Sequence, residues 1–311
     1  MQTLADRLAF FTPALDTQDW PALLQQAATW QLSALELGVG GYPGTAHADA
    51  LALRNDPQRR QTLRADLAAH GVHHLVLSCH SNPLHPDVPT ARQADDLLQA
   101  TLELANAWEV DTIVTFSGVG GSGSQFNWPI VGWPSEYPRY REAVWQNELI
   151  PYWQGINERA REQGVRVALE MHGGFLVHSP GTLLELRRAC GPWIGANLDP
   201  SHFWWQGLDP LAGIEVLAEA VFHVHLKDWR ANPQELALWG FLDPRPMSHT
   251  PRAWQFAVPG SGHGDGFWRA FLLRLQAHHY TGLLSLEHED PDLPPLDGIQ
   301  QGIDFMRQCM R

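Results

Sequence analysis

Four short apolar segments of this 311-residue chain end in a residue whose side chain can bind a metal ion. These residues are Glu170, Asp199, His225 and Glu287. They lie 29, 26 and 62 residues apart along the chain. Three carboxylates and one imidazole form a hard, mostly oxygen ligand set, which favours Mn²⁺, Mg²⁺ or Co²⁺ over the thiolate-rich sites of structural zinc. Three converging negative charges without a cation would be unfavourable. A bound divalent ion is therefore the simplest interpretation, and the alternative is that each acid caps a helix or pairs with an arginine.

Short apolar segments alternate with longer amphipathic segments along the whole chain, a pattern typical of parallel strands joined by crossover helices. The predicted strands are Arg7–Phe11, Ala34–Leu37, His74–Ser78, Thr112–Phe116, Val165–Glu170, Ile194–Asp199, Val221–Leu226 and Leu283–Glu287. The predicted helices are Trp20–Trp30, Pro57–His70, Ala91–Trp108, Tyr140–Gln163, Gly181–Ala189, Leu211–Glu219, Phe267–His278 and Leu296–Arg311.

Eight strand and helix units in about 300 residues predict one closed (β/α)8 barrel of the TIM type, with a single domain over residues 1–311. A doubly wound sheet is the alternative, but no GxGxxG motif follows the first strand. Active sites of TIM barrels form at the C-terminal ends of the strands, where all four ligand candidates fall. Side-chain alternation places Ala168 with Glu170, Asn197 with Asp199, His223 with His225, and Ser285 with Glu287 on shared faces.

Two connections are much longer than the others. Residues 118–136 are rich in Gly, Ser, Trp and Pro, and residues 230–262 hold five prolines. Both follow strand C-termini, so we expect both to lie over the mouth of the barrel and to cover a site.

The composition excludes several classes of partner. A formal net charge of −13 argues against nucleic acid and against an anionic membrane surface. No apolar run approaches the length of a membrane span. Three scattered cysteines without a CxxC motif favour reduced thiols, and hence a cytoplasmic location. The expected partner is a small molecule, and the sequence allows a homo-oligomer without indicating one.

Lys227 is the one lysine among 21 basic residues, since the other 20 are arginine. This usage indicates a need for an ammonium group at this position, as a donor to a substrate oxygen or as an electrostatic aid to a developing negative charge. A Schiff-base nucleophile, as in a class I aldolase, is an alternative. A buried ion pair with Asp228 is the structural alternative.

Several other residues are candidates for contacts with a substrate. His80, Asn82 and His85 follow the third strand and could bind hydroxyl groups, although PLHP could equally form a rigid turn. His263 lies in GSGHGD (residues 260–265), which resembles a phosphate loop, but few basic residues lie beside it, so an uncharged substrate is expected. Tryptophans expected at the mouth, among them Trp128 and Trp204, could stack on sugar faces or simply pack loops.

Five segments together resemble a known family: LSCHSNPLHPD, LEMH, NLDPSH, HVHLKD and SLEHED. They look like the xylose isomerase-like TIM-barrel superfamily of sugar isomerases and epimerases. The resemblance implies that Glu170, Asp199, His225 and Glu287 ligate one divalent metal. The hard ligand set favours Mn²⁺, with Mg²⁺, Co²⁺ and Zn²⁺ as alternatives. The resemblance also implies that Glu170 and Glu287 form an acid–base pair across the substrate. His172 and His202, with His223, would contact substrate or support the ligands.

The expected function is that of a metal-dependent isomerase or epimerase, in which a carboxylate removes a proton beside a metal-polarised carbonyl and the proton returns elsewhere. Three alternatives remain. The same residues could eliminate a leaving group from a 3-keto-glycoside. Related barrels cleave abasic DNA, but a chain of this charge should bind DNA poorly. A non-catalytic sugar-binding barrel would keep the pocket without turnover.

Overall fold

The computed structural model describes residues 4–311 and contains a ring of eight parallel strands. The strands are β1 (Leu8–Phe10), β2 (Ala34–Gly38), β3 (His74–Ser78), β4 (Thr112–Thr115), β5 (Arg166–Glu170), β6 (Ile194–Leu198), β7 (Val221–Leu226) and β8 (Leu284–Leu286). From β2 to β8 each strand pairs with the next along the chain, and β8 pairs with β1. A parallel bridge between Phe11 and Glu36 joins β1 to β2 and closes the ring. The predicted TIM barrel is confirmed.

Helices surround the ring. They are Trp20–Thr29, Ala50–Arg54, Pro57–Ala69, Val88–Ala107, Glu136–Val144, Ile150–Gln163, Pro180–Cys190, Pro200–Trp204, Pro210–Leu217, Pro233–Trp239, Asp265–Ala277 and Pro295–Cys309. A π-helical turn over Trp145–Leu149 joins two of them. In the described part of the chain, no helix has the length and apolar character needed to cross a membrane.

Many helices begin with one local sequence signal. Asp56, Ser179, Asp199, Asp209 and Asn232 each cap a helix whose first residue is proline, and each cap side chain accepts a hydrogen bond from a backbone N–H of the first turn. Proline fits the first helical position because its missing N–H would have no helical partner there. This signal turns the chain sharply from strand or loop into helix.

The core has two parts. Apolar side chains between strands and helices form the larger cluster. A smaller cluster fills the barrel interior and consists of Ala9, Ala34, Val76, Val114, Ala168, Phe222 and Leu283. Ala34 precedes Glu36 in β2, Ala168 precedes Glu170 in β5, and Leu283 precedes Glu287 at β8, so this apolar cluster lies toward the N-terminal end of the barrel. The polar residues of the interior therefore lie toward the C-terminal mouth.

The structure differs from the predicted elements in detail. Arg7 belongs to a 3₁₀ turn rather than to the first strand, and the predicted helix 140–163 is divided by the π-helical turn. The two long connections also contain strands of their own. Gly121–Ser122 pairs with Gln125–Phe126 in the first, and Asp228–Ala231 pairs with Trp254–Ala257 in the second. These local antiparallel pairs give the connections defined shapes.

Candidate metal centre

Glu170, Asp199, His225 and Glu287 converge at the C-terminal rim of the barrel. Glu170 ends β5, Asp199 follows β6, His225 lies in β7 and Glu287 follows β8. One potential ligand atom from each residue lies within 4.8 Å of the others. The structure thus brings together the four residues that the sequence predicts as ligands.

Asp199 is oriented by the helix that it caps. Its Oδ1 accepts a hydrogen bond of 2.8 Å from the backbone N–H of Ser201, at the start of the helix Pro200–Trp204. This leaves Oδ2 directed toward Lys227, 3.0 Å from Nζ. Burial raises the pKa of Asp199, although Lys227 opposes this shift.

Glu170 is held by donors on both oxygens. His80 Nε2 donates to Oε2 at 2.8 Å and Asn197 Nδ2 at 3.3 Å, while His202 Nε2 lies 3.0 Å from Oε1. Burial by itself raises the pKa of Glu170, but the hydrogen bonds from His202 and His80 outweigh it and hold the pKa well below the usual value. Glu170 is therefore a carboxylate of fixed orientation.

His225 presents its two ring nitrogens to different acids. Nδ1 lies 2.9 Å from Glu287 Oε2 and 3.6 Å from Glu170 Oε2. Nε2 lies 3.0 and 3.1 Å from the two oxygens of Glu36. Burial lowers the pKa of His225, but attraction to Glu36 and Glu287 outweighs burial and raises the pKa well above the usual value.

Lys227 is fully buried among carboxylates. Its Nζ donates to Glu287 Oε2 at 2.6 Å and to Glu289 Oε2 at 2.8 Å, in addition to its contact with Asp199. These acids raise its pKa well above the usual value, even though burial acts in the opposite direction. Lys227 also lowers the pKa of Glu287 to about 2, against the effect of burial on that carboxyl. Its partners are thus Asp199, Glu287 and Glu289.

The donor set fits a divalent cation. Asp199 Oδ2 and His225 Nδ1 are buried, face the cluster and have no well-aligned hydrogen bond to any residue in the range 4–311. Buried polar atoms normally find a partner. A cation between the three carboxylates would add a well-directed partner to the ion-pair contacts of Asp199 Oδ2 with Lys227 and of His225 Nδ1 with Glu287. It would also offset negative charge that Lys227 alone does not balance.

A cavity of about 270 Å³ opens above this cluster. Its walls are partly aromatic, from Phe11, Tyr42 and Phe116, and its polar lining consists of His80, Glu170, Glu287, His288 and Glu289. Glu287 is the most accessible of the four candidate ligands, with a side chain 13% exposed. Asp199 and His225 lie beneath the floor. The volume is slightly below the usual range of about 300–1,000 Å³ for small-molecule pockets.

The other predicted histidines of this region surround the cluster in different ways. His172 packs against His202, with ring centroids 4.1 Å apart and ring planes tilted by 54°, and it also contacts Phe116. His202 bridges Glu170 and Asp199, with Nε2 3.5 Å from Asp199 Oδ2. His223 lies below the cluster and binds Glu36 at 2.8 Å. Of the histidines predicted to contact substrate, His80 lines the cavity directly.

The remaining predicted substrate residues have structural partners. Asn82 uses its amide to bind the backbone of Val119 and Leu84, so it fixes a turn. Trp204 stacks on His263, with ring centroids 3.9 Å apart, and His263 binds Asp228. Trp128 packs against Trp205 and lines a separate aromatic cavity of about 510 Å³. These four residues do not line the cavity above the cluster.

Sequence reasoning missed Glu36 and Glu289, and it named Trp205 only among the tryptophans at the mouth, without its contact to His202. Glu36 lies in the middle of β2, fully buried, where a charged residue between Leu35 and Leu37 was the available signal. Glu289 lies at the rim of the cavity, two residues beyond Glu287. Trp205 donates from its indole Nε1 to His202 Nδ1 at 3.3 Å. All three residues support or border the predicted site.

Comparison with known proteins identifies relatives of this chain. A family model described as the xylose isomerase-like TIM barrel matches residues 24–309. YfiH of Bacillus subtilis strain 168 is 30% identical over 311 residues, which cover 98% of this chain and 99% of YfiH. An inosose dehydratase of Clostridium tetani is 28% identical over 160 residues, about half of each chain.

Solved structures share the fold at low sequence identity. The probable 3-DHS dehydratase AsbF of Bacillus anthracis superposes with a TM-score of 0.67 at 16% identity, over 97% of this chain and 98% of AsbF. D-psicose 3-epimerase of Clostridium cellulolyticum H10 superposes with a TM-score of 0.61 at 15% identity, over 98% and 99% of the two chains. The matched family, together with the full-length relative and the barrel itself, shows that this chain belongs to the xylose isomerase-like TIM-barrel family.

Proposed function

We propose that the protein is a divalent-metal-dependent isomerase or epimerase acting on a ketose or a related small carbohydrate. The observation that carries this proposal is the convergence of Glu170, Asp199, His225 and Glu287 within 4.8 Å beneath a small cavity at the barrel mouth. Enzyme relatives named as epimerases and dehydratases support an enzymatic role.

The four residues would hold the ion through three carboxylate oxygens and Nδ1 of His225. This ligand set suits Mn²⁺ best, with Mg²⁺, Co²⁺ and Zn²⁺ as alternatives. When bound, such an ion acts as a Lewis acid that polarises a carbonyl and makes the neighbouring C–H bond more acidic.

The proton is then moved by carboxylates that line the cavity. Glu287 faces the cavity from the β8 side and Glu170 from the β5 side, so a substrate between them has a carboxylate on each side. One carboxylate removes the proton next to the carbonyl, and the other side returns a proton. Return to the opposite face of the same carbon gives epimerisation, and return to the adjacent carbon gives isomerisation.

Lys227 supports these carboxylates electrostatically. Its ammonium contacts Asp199, Glu287 and Glu289 and is about 1% exposed, so we assign it to holding the acids ionised rather than to a covalent imine. A Schiff-base nucleophile must be deprotonated to attack, and the three acids around Lys227 oppose deprotonation.

Elimination is the second candidate function, and Glu289 is the observation that favours it. This carboxylate lies at the cavity rim, its side chain is 49% exposed, and Lys227 holds it beside Glu287. It gives the site a third proton-handling group, which could protonate a departing hydroxyl or aglycone after the first proton has been removed. Relatives named as dehydratases are consistent with this outcome.

The test combines metal content with proton exchange. The protein is purified without a metal-affinity column, beside an Asp199→Ala variant, and both are analysed by elemental mass spectrometry. About one divalent ion per wild-type chain, lost in the variant, is the expected result. No bound metal in the wild type, even after incubation with Mn²⁺, would overturn the proposal.

Ketoses and 3-keto-glycosides are then incubated with the Mn²⁺-loaded protein in deuterated water and followed by NMR. Deuterium in an epimeric or isomeric product supports the first function, whereas release of water or an aglycone supports elimination. A third outcome would identify a sugar-binding barrel. In that case the wild type shows no proton exchange, and a Glu287→Gln variant binds sugar as well as the wild type does.

A further inference from the structure

We propose that Glu36 is a positioning residue that makes Nδ1 of His225 the nitrogen that faces the metal. The inference rests on the proposed metal site and extends it to a residue on the opposite side of the barrel. Glu36 lies in β2 and His225 in β7, and their bond joins residues 189 positions apart in sequence. The two strands are not neighbours in the ring, so this contact crosses the barrel interior.

The hydrogen bond fixes the tautomer of His225. An ionised carboxylate can only accept hydrogen bonds, and both oxygens of Glu36 lie 3.0–3.1 Å from Nε2 of His225. Nε2 must therefore carry the proton. Without a metal, Nδ1 can carry a second proton that faces Glu287 Oε2 at 2.9 Å and Glu170 Oε2 at 3.6 Å. A bound divalent ion would displace that proton, because a ligating nitrogen must be deprotonated, while Nε2 keeps its proton on Glu36.

Glu36 is itself held by several donors. His223 Nε2 donates to Oε2 at 2.8 Å, and the Ser78 hydroxyl donates to Oε1. The carboxyl group is fully buried, and donors from Ser78, His223 and His225 converge on its two oxygens. With both oxygens engaged, the carboxylate cannot turn away from His225.

The arrangement matches a general property of metal sites. A histidine that ligates a metal usually donates its other ring N–H to a carboxylate, and loss of that partner typically weakens metal binding by about 10–100-fold. Glu36 is the carboxylate in this role here, and Ser78 and His223 hold it in place. Glu36 does not line the cavity above the cluster, so it acts through His225 and not on substrate.

A different role for the same residues makes a distinct prediction. Glu36, His223 and His225 also form a triplet whose ligand atoms lie within 4.8 Å of one another, so a second ion could in principle lie below the first. The observed distances are those of direct hydrogen bonds, which favours protons over a metal between these atoms. Metal stoichiometry distinguishes the two arrangements.

The experiment compares metal affinity in Glu36→Gln, Glu36→Asp and Ser285→Ala variants. Ser285 is the matched control because it is fully buried in β8, pairs in register with His225, and its hydroxyl has no partner among the described residues. Mn²⁺ affinity is measured by competition with a chelator, and circular dichroism and the Tm of the metal-free proteins check folding.

We expect Glu36→Gln to weaken Mn²⁺ binding about 10–100-fold, Ser285→Ala to change it less than about threefold, and Glu36→Asp to lie between them. If the wild type binds one Mn²⁺ per chain and Glu36→Gln binds Mn²⁺ with the same affinity, the inference is overturned while the proposed function stays intact. Two ions per chain, with one lost in Glu36→Gln, would overturn it in favour of a second metal. A wild type that binds no Mn²⁺ would overturn the proposed function itself.

A second measurement does not depend on folding of the variants. In wild-type protein labelled with ¹⁵N-histidine and loaded with Mg²⁺, we expect the His225 ring to be protonated at Nε2 and ligated at Nδ1. Protonation at Nδ1 would contradict the role of Glu36.

Discussion

The indole Nε1 of Trp205 lies 3.3 Å from Nδ1 of His202. An indole N–H can only donate, so Nδ1 of His202 accepts and Nε2 carries the ring proton. Burial lowers the pKa of His202, which keeps the ring neutral. The protonated Nε2 faces Glu170 Oε1 at 3.0 Å, so His202 acts as a donor to a candidate ligand and not as a ligand in this arrangement.

Replacing Trp205 with phenylalanine should remove the hydrogen bond that fixes the tautomer of His202. Phe keeps an aromatic ring to stack on Trp254, whose ring lies 5.4 Å away, but it removes the N–H. We expect a mixture of His202 tautomers and a loss of about 1–2 kcal/mol in the free energy of unfolding, because a buried acceptor loses its donor. NMR of ¹⁵N-histidine and urea denaturation measure both effects. A single Nε2-protonated tautomer in the variant would refute the argument.

Gly173 gives Trp205 its position. A methyl group at this residue would lie 1.9 Å from Cη2 of Trp205, far inside contact distance. Gly173→Ala should therefore displace the indole and lower the free energy of unfolding by about 1–3 kcal/mol.

Gly155 is the matched control for this substitution. It lies exposed in the helix Ile150–Gln163 with nothing within 4 Å of an added methyl group. Gly155→Ala should raise the free energy of unfolding by about 0.5–1 kcal/mol, because glycine is a poor helix former. Equal effects of the two substitutions in urea denaturation would show that the contact with Trp205 does not matter.

Lys227 should contribute strongly to the stability of the metal-free protein. Lys227→Met removes the buried cation from Asp199, Glu287 and Glu289, so we expect a loss of about 3–5 kcal/mol in the free energy of unfolding. Mn²⁺ should recover part of this loss because it returns positive charge to the cluster. Arg274→Met removes an exposed ion pair with Glu215 and should change stability by less than about 1 kcal/mol. A similar loss in both variants would contradict the role of Lys227.

Cys79 should be unreactive in the native protein. Burial raises the pKa of its thiol to about 11, and the side chain is fully inaccessible. A thiol reacts as the thiolate, whose fraction rises with pH and stays small below this pKa. We expect no labelling of Cys79 by iodoacetamide at pH 8 and rapid labelling after unfolding in urea, as measured by peptide mass spectrometry. Rapid labelling of the folded chain would contradict the burial of this residue.

The barrel and its four candidate ligands followed from local patterns. Alternation of strands and helices predicts the ring, and strand polarity places Glu170, Asp199 and Glu287 at one end. Alternation within β7 also predicts the shared inward face of His223 and His225. These features depend on a few neighbouring residues, so one sequence is enough to predict them.

The supporting residues could not be predicted in this way. The partner of Glu36 lies 189 residues away, and nothing local to β2 indicates which histidine it meets. Likewise, Trp204 and His263 stack on each other because two separate connections come together above the barrel. Contacts of this kind depend on how loops pack in three dimensions. The hydrophobic periodicity of one sequence does not reveal that packing.

The bridge that closes the ring, between Phe11 and Glu36, involves the same residue that orients His225. All four candidate ligands lie in the second half of the chain, whereas the carboxylate that prepares one of them comes from the first. On this proposal, a partly assembled barrel could bring the four ligands together while His225 directs Nε2, instead of Nδ1, toward the ion. On the proposed role of Glu36, full affinity for a divalent ion requires the completed ring, so metal binding should reach full strength only after both halves of the chain have packed together.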